Sequence, residues 1–163
     1  PILGKHFLQI MIVRDPVSRI QSYYFQAKKQ LKSKKPYIIA AHKYNINDFI
    51  NYLYDHNPYM VNNPYSVCIS GTEDLSLVKK IIDTEFFLVA PIERIDDFLK
   101  TLTFKLFGKP GKFSKYNDGH NNPKKIIIAD NLIDRVLSSN QSDISLKKYV
   151  ELEFNSIFNN LNF

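Results

Sequence analysis

The sequence predicts an α/β domain, rich in helix and built on a small parallel sheet. Three observations lead there. The run His6–Val13 (HFLQIMIV) is nearly continuous in apolar residues, as a central strand of a parallel sheet must be. A second apolar run, Glu85–Pro91 (EFFLVAP), is short and bounded by charges, and segments with helical spacing separate and follow the two. Finally, 163 residues with 44% apolar composition, including twelve Phe and ten Tyr, are enough for one core, so residues 1–163 read as a single domain.

The elements follow in order. After the first strand, Asp15 suits an N-cap and Pro16 the first helical position, and a helix runs to about Lys29 with Ile20, Tyr24 and Ala27 on one stripe. Gln30–Pro36 is a basic stretch leading into a turn. Asn45-Ile46-Asn47 precedes a second helix, Asp48–His56, with Phe49, Ile50 and Leu53 as its apolar face. Asn57–Ser70 holds Pro58, Pro64 and Asn62-Asn63 and reads as an irregular connection. Gly71-Thr72 opens a third helix, Glu73–Asp83. The second strand leads into a helix from Arg94 to Phe107, with Asp96 and Asp97 as first-turn charges and Gly108 as its stop. Lys109–Lys125 is a loop, and helices over about Asp130–Ser138 and Asp143–Asn159 close the chain. Two strands are too few for a complete doubly wound sheet, so the remaining strands are expected ahead of residue 1.

Composition excludes several function classes. Cys68 is the sole cysteine, which rules out an intrachain disulfide and a CxxC metal site. His6, His42, His56 and His120 show no metal-ligand spacing. A phosphate loop of the form G-x-x-x-x-G-K-[ST] is missing, which argues against a nucleotide kinase. No apolar run approaches the ~20 residues of a membrane span. The net charge of +6 is mostly dispersed. Its one concentration, Lys28–Lys35, reads as a solvated helix end, with an anionic-ligand patch as the alternative.

One segment carries chemistry. In Val13-Arg14-Asp15-Pro16-Val17-Ser18-Arg19-Ile20-Gln21-Ser22-Tyr23-Tyr24, a strand ends in a cation and a helix starts at once. Ser22 lies about two turns further along. A strand-end guanidinium, a helix N-terminus and a helix hydroxyl together make a phosphate site. The bland alternatives are an Arg14 paired with Asp15 or a nearby carboxylate, and a Ser22 bonded back to its own helix.

This segment, then Phe86–Gly108, then the Asn-rich loop from Tyr116 and the closing helices resemble, in that order, the PAPS-dependent carbohydrate sulfotransferases, especially the heparan sulfate 2-O-sulfotransferase-like group. The resemblance covers nearly the whole chain. It implies the C-terminal portion of a P-loop-NTPase-like, three-layer fold, and a transferase that moves a sulfuryl group from PAPS to a hydroxyl acceptor, a carbohydrate. On matched positions it implies that Arg14 grips the 3′-phosphate of PAPS or PAP and that Ser22 donates to it. Arg19 is the motif's second Arg, expected to be mainly structural. Asn121, Asn122, Lys124 and Lys125 belong to the loop that closes over the nucleotide, and no metal is implied. His42 and His56 are candidates to approach an acceptor sugar, with ordinary surface histidines as the commoner alternative, and His120, in the Asn-rich loop, is a candidate to touch ligand. The family's Gly- and Lys-containing loop for the 5′-phosphosulfate, and its His or Glu base, have no match before Arg14, so the catalytic base is unknown. The alternative is a non-catalytic module on the same scaffold that binds anionic glycan or nucleic acid. Compartment stays open between a bacterial cytoplasm and the Golgi lumen of an anchored enzyme.

Overall fold

The computed structural model describes residues 8–113 and 126–161. Its elements are β1 (Gln9–Val13), α1 (Pro16–Lys28), α2 (Pro36–Lys43), α3 (Ile46–His56), α4 (Pro64–Ser70), α5 (Leu75–Glu85), β2 (Phe86–Pro91), α6 (Ile95–Phe107), α7 (Asp130–Ser138) and α8 (Gln141–Asn159). Single 3-10 turns lie at Pro58–Met60 and Ile92–Arg94. The protein is thus α/β and helix-rich, with a two-stranded parallel sheet among the described residues.

β1 and β2 pair Ile10 with Leu88, Ile12 with Ala90 and Val13 with Pro91. Side chains alternate between the two faces of the sheet. Met11, Val13 and Val89 pack with Val78 and Ile82 of α5 and with Leu146 and Val150 of α8. Ile12, Leu88 and Ala90 pack on the opposite face with Phe98 of α6 and Phe154 of α8. Both faces are covered, the condition that lets a parallel strand be apolar throughout. Pro91, which has no N–H to give, stands at the strand's end, where the ladder loses least.

A second core lies among helices. Ile20, Tyr24 and Ala27 of α1 meet Ile38 and Ala41 of α2, Phe49, Ile50 and Leu53 of α3, and Leu132 and Val136 of α7. α3 begins at Ile46, two residues earlier than its composition suggests, because Asn45 accepts hydrogen bonds from the Asn47 and Asp48 N–H groups. Likewise α5 starts at Leu75 behind Asp74, whose carboxylate accepts from Ser76 and Leu77. Gly108 ends α6 at φ 69°, the left-handed geometry that glycine enters without strain.

Three expectations need correction. Residues 36–43, which the sequence places only after a turn, form α2, with Pro36 at its first turn and Ile38, Ala40 and Ala41 buried. Asn57–Ser70 is not irregular throughout, since it contains the 3-10 turn at Pro58–Met60 and helix α4. Residues 92–94 make a 3-10 turn, so α6 starts at Ile95 rather than Arg94. The N-terminal part of the first strand, including His6, lies outside the described residues, as does the loop through His120.

A buried polar node fastens the helical core to the sheet layer. Arg19 on α1, 2% exposed, donates from Nη1 to the Asp143 carboxylate at 2.7 Å and from Nη2 to Asn140 Oδ1 at 2.7 Å. Asp143, also 2% exposed, accepts from the backbone N–H of Tyr65 (3.1 Å) and Ser66 (2.9 Å) and from the Ser66 hydroxyl (2.9 Å), so α8 supplies the N-terminal cap of α4. Asn63 stands just before α4 in left-handed backbone, φ 43° and ψ 45°. That conformation costs about 1–3 kcal/mol outside glycine. It is held by the Asn63 N–H donating to Asn140 and by the Asn63 side chain accepting from the Asp143 N–H.

Truncating one partner leaves the other charge buried and alone. Asp143→Ala is expected to lose about 3–5 kcal/mol of stability, roughly 6–20 °C in melting temperature for a chain of this length. Thermal unfolding followed by circular dichroism checks it; a variant that melts with the wild type shows that the node holds nothing together.

Candidate functional site

The strands' carboxyl ends open onto a cleft. Ile12 and Arg14 come from β1 and the residue after it, Ile92 from the turn after β2, and Arg19, Ser22, Tyr23 and Gln26 from α1; Tyr65 of α4 closes the far wall. In open α/β sheets this end of the strands is where ligands bind. The cleft holds about 230 Å3. Pockets that enclose a drug-sized ligand run to about 300–1,000 Å3, so this one is smaller than such pockets.

The four α1 residues are spaced i, i+3, i+4 and i+7, which puts them on one flank of the helix. Its opposite flank, with Ile20, Tyr24 and Ala27, is buried in the helical core, so the site face is fixed by the packing of the other. Contrary to the simple expectation, the N-terminus of α1 does not line the cleft. Asp15 caps it, with its carboxylate accepting from the Ser18 N–H at 2.8 Å.

Asp15 is engaged with its own helix, and the Arg14 side chain makes no ion pair or hydrogen bond with any described residue. The half-buried Ser22 hydroxyl likewise makes no bond back to its helix and none to another described residue. Both bland alternatives therefore fail within the described residues. Arg14 and Ser22, expected at the nucleotide, and Arg19, expected to be mainly structural, share one cleft. Asn121, Asn122 and Lys124 lie outside the described residues, with Lys125.

Tyr65, Tyr23 and Gln26 are site residues that sequence reasoning missed. The helical spacing from Arg19 and Ser22 would have found Tyr23 and Gln26, whereas no local signal marks Tyr65. The Arg19 guanidinium lies 4.9 Å from the centre of the Tyr65 ring, a cation–π contact. Burial pushes the Tyr65 phenol above its ordinary pKa; Arg19 opposes the shift, Tyr23 adds to it, the Arg14 backbone amide opposes it and Asp143 adds to it. The wall bearing Ile92 is tied to α8, where Lys147 pairs with Glu93 at 3.4 Å and with Glu151.

Other expected residues lie elsewhere. His42 and His56 are exposed on α2 and α3, with the His56 ring stacked on Tyr52 at 4.4 Å. Lys28, Lys29, Lys32, Lys34 and Lys35 are all exposed, at the C-terminal end of α1 and on the link to α2, and none of them lines the cleft. Cys68 is exposed on α4. Among the described residues no three of His, Cys, Asp and Glu form a metal-ligand group, and no helix is long and apolar enough to cross a membrane. No protein-family model matches this chain, and neither a curated protein nor a solved structure is significantly similar to it.

The raised Tyr65 pKa has a sign. Deprotonation is harder in the folded state than in the unfolded one, so its contribution to stability is complete below about pH 10 and is lost as pH rises beyond that. Tyr65→Phe is expected to remove part of this alkaline loss while leaving stability at pH 7 within about 1.5 kcal/mol of wild type. Urea titrations between pH 7 and 11 measure both; equal alkaline slopes would contradict the assignment.

Proposed function

We propose that this chain binds the 3′-phosphate end of PAPS and serves a sulfotransferase that moves a sulfuryl group to a hydroxyl acceptor, a carbohydrate in the related enzymes it resembles. The observation that carries the reading is the pairing of an uncommitted Arg14 guanidinium with an uncommitted Ser22 hydroxyl in one cleft at the carboxyl end of a parallel strand. A guanidinium fork matches two phosphate oxygens at once, and a neighbouring hydroxyl donates to a third. The small cleft volume agrees with a grip on one end of a nucleotide. The chain's described residues fit that end of PAPS, and we derive no step at its reactive end. In the full reaction PAPS supplies the sulfuryl group and a base takes the acceptor proton; this chain's part is to anchor the nucleotide.

PAP, the nucleotide left after transfer, is the ligand to use. It is expected to raise the melting temperature, and Arg14→Ala is expected to weaken its binding about 10–100-fold through loss of a charge-assisted contact. Without ligand that variant should stay within about 0.5 kcal/mol of wild type, because no described residue pairs with Arg14. Adenosine 5′-monophosphate, which lacks the 3′-phosphate, should bind no better to wild type than to the variant. Calorimetry that finds no PAP binding to wild type sinks the reading. Salt-sensitive glycan binding that ignores PAP and falls when Lys28–Lys35 are neutralised assigns the chain to the non-catalytic alternative.

A further inference from the structure

We propose that Arg19 serves the phosphate site as well as the fold, its Nε–H acting as the third donor to the anion while its two Nη groups hold the helices together. The inference deepens the phosphate reading of the cleft and rests on it. Arg19 lines the cleft together with Arg14 and Ser22, and it stands three residues before Ser22 on the same flank of α1. Its terminal nitrogens are taken, Nη1 by Asp143 and Nη2 by Asn140, each at 2.7 Å. Nε is fully buried and has no hydrogen-bond partner. A buried donor left unsatisfied is costly, and native proteins rarely tolerate one without a reason.

The reason lies in what surrounds it. The Tyr65 ring covers the face of the guanidinium, with its centroid 4.9 Å from Cζ. The Nε–H points in the guanidinium plane, so the ring on the face does not accept it. An oxygen of a tetrahedral anion gripped by Arg14 and Ser22 is the acceptor this arrangement suits. Phosphate has oxygens enough for a bidentate guanidinium, a hydroxyl and one further N–H.

The two arginines then differ in what they contribute. Asp143 neutralises Arg19 through the buried pair, so Arg19 adds a directed hydrogen bond and little net charge. Arg14, unpaired among the described residues, supplies the long-range attraction. Arg19 thus sets how the anion sits, and Arg14 sets how strongly it is drawn in.

Substituting Arg19 breaks the node, so the test uses the intact protein. The chain has four arginines, Arg14, Arg19, Arg94 and Arg135, and therefore four side-chain Nε–H signals in a nitrogen–proton NMR spectrum. Arg94 donates its Nε–H to Asp97 at 2.6 Å, and Arg135 lies over the Tyr54 ring, both outside the cleft lining, so they serve as references. The Arg14→Ala variant assigns the Arg14 signal. Saturating PAP is expected to move the Arg14 and Arg19 signals downfield with one affinity and to leave Arg94 and Arg135 in place, and adenosine 5′-monophosphate to move neither cleft signal. Movement of Arg14 alone overturns the role given to Arg19 and leaves the phosphate site standing. No movement at either cleft arginine overturns the phosphate site itself, and this inference with it.

Discussion

The buried pair of Arg19 and Asp143 is the contact on which the rest of this structure depends. The two residues are separated by 124 positions and lie in different packing units. Arg19 belongs to a helix whose other flank fills the helical core, while α8 packs along the sheet. Their union, extended through Asn140, Asn63 and Ser66, decides where the N-terminus of α4 stands. Isolated buried ion pairs often fail to repay their desolvation. Here the carboxylate also accepts two backbone N–H groups and a hydroxyl that would otherwise be buried without partners, which tips the balance.

The same node shapes the cleft. Tyr65 forms one wall because its backbone N–H is held by Asp143, and Arg19 forms another because its guanidinium is held by Asp143 and Asn140. Arg14 and Ile92 reach the cleft from the ends of neighbouring parallel strands. Fold and candidate site are therefore not separable in this chain. The strain at Asn63 belongs to the same arrangement, since two hydrogen bonds hold its left-handed backbone where α4 must begin.

Much of the fold was legible from local rules. Asp15-Pro16 announces α1, Gly108 stops α6, and the apolar run ahead of Pro91 marks β2, because caps, stops and strand ends depend on residues close in sequence. α4 was not legible. Asn62-Asn63-Pro64 has the composition of a loop, and its helix is capped from α8 rather than by a residue beside it. α2 was hidden in a similar way: it is a short helix behind a lysine-rich stretch, stabilised by burial of Ile38, Ala40 and Ala41 rather than by a cap.

Within the site, the chain's own order determined that Arg14 ends a strand and that Ser22 follows on the adjoining helix. Those facts need only the strand-to-helix junction and helical spacing. The structural part of Arg19 was also legible as the motif's second arginine, although its partners were not. Only the tertiary structure decided that no described carboxylate pairs with Arg14, that Tyr65 lines the cleft, and that Arg19 keeps one nitrogen without a partner. Each of these depends on which distant group arrives to take a hydrogen bond. Periodicity and capping preferences carry no record of such arrivals, because they act over a few residues while the contacts span most of the chain.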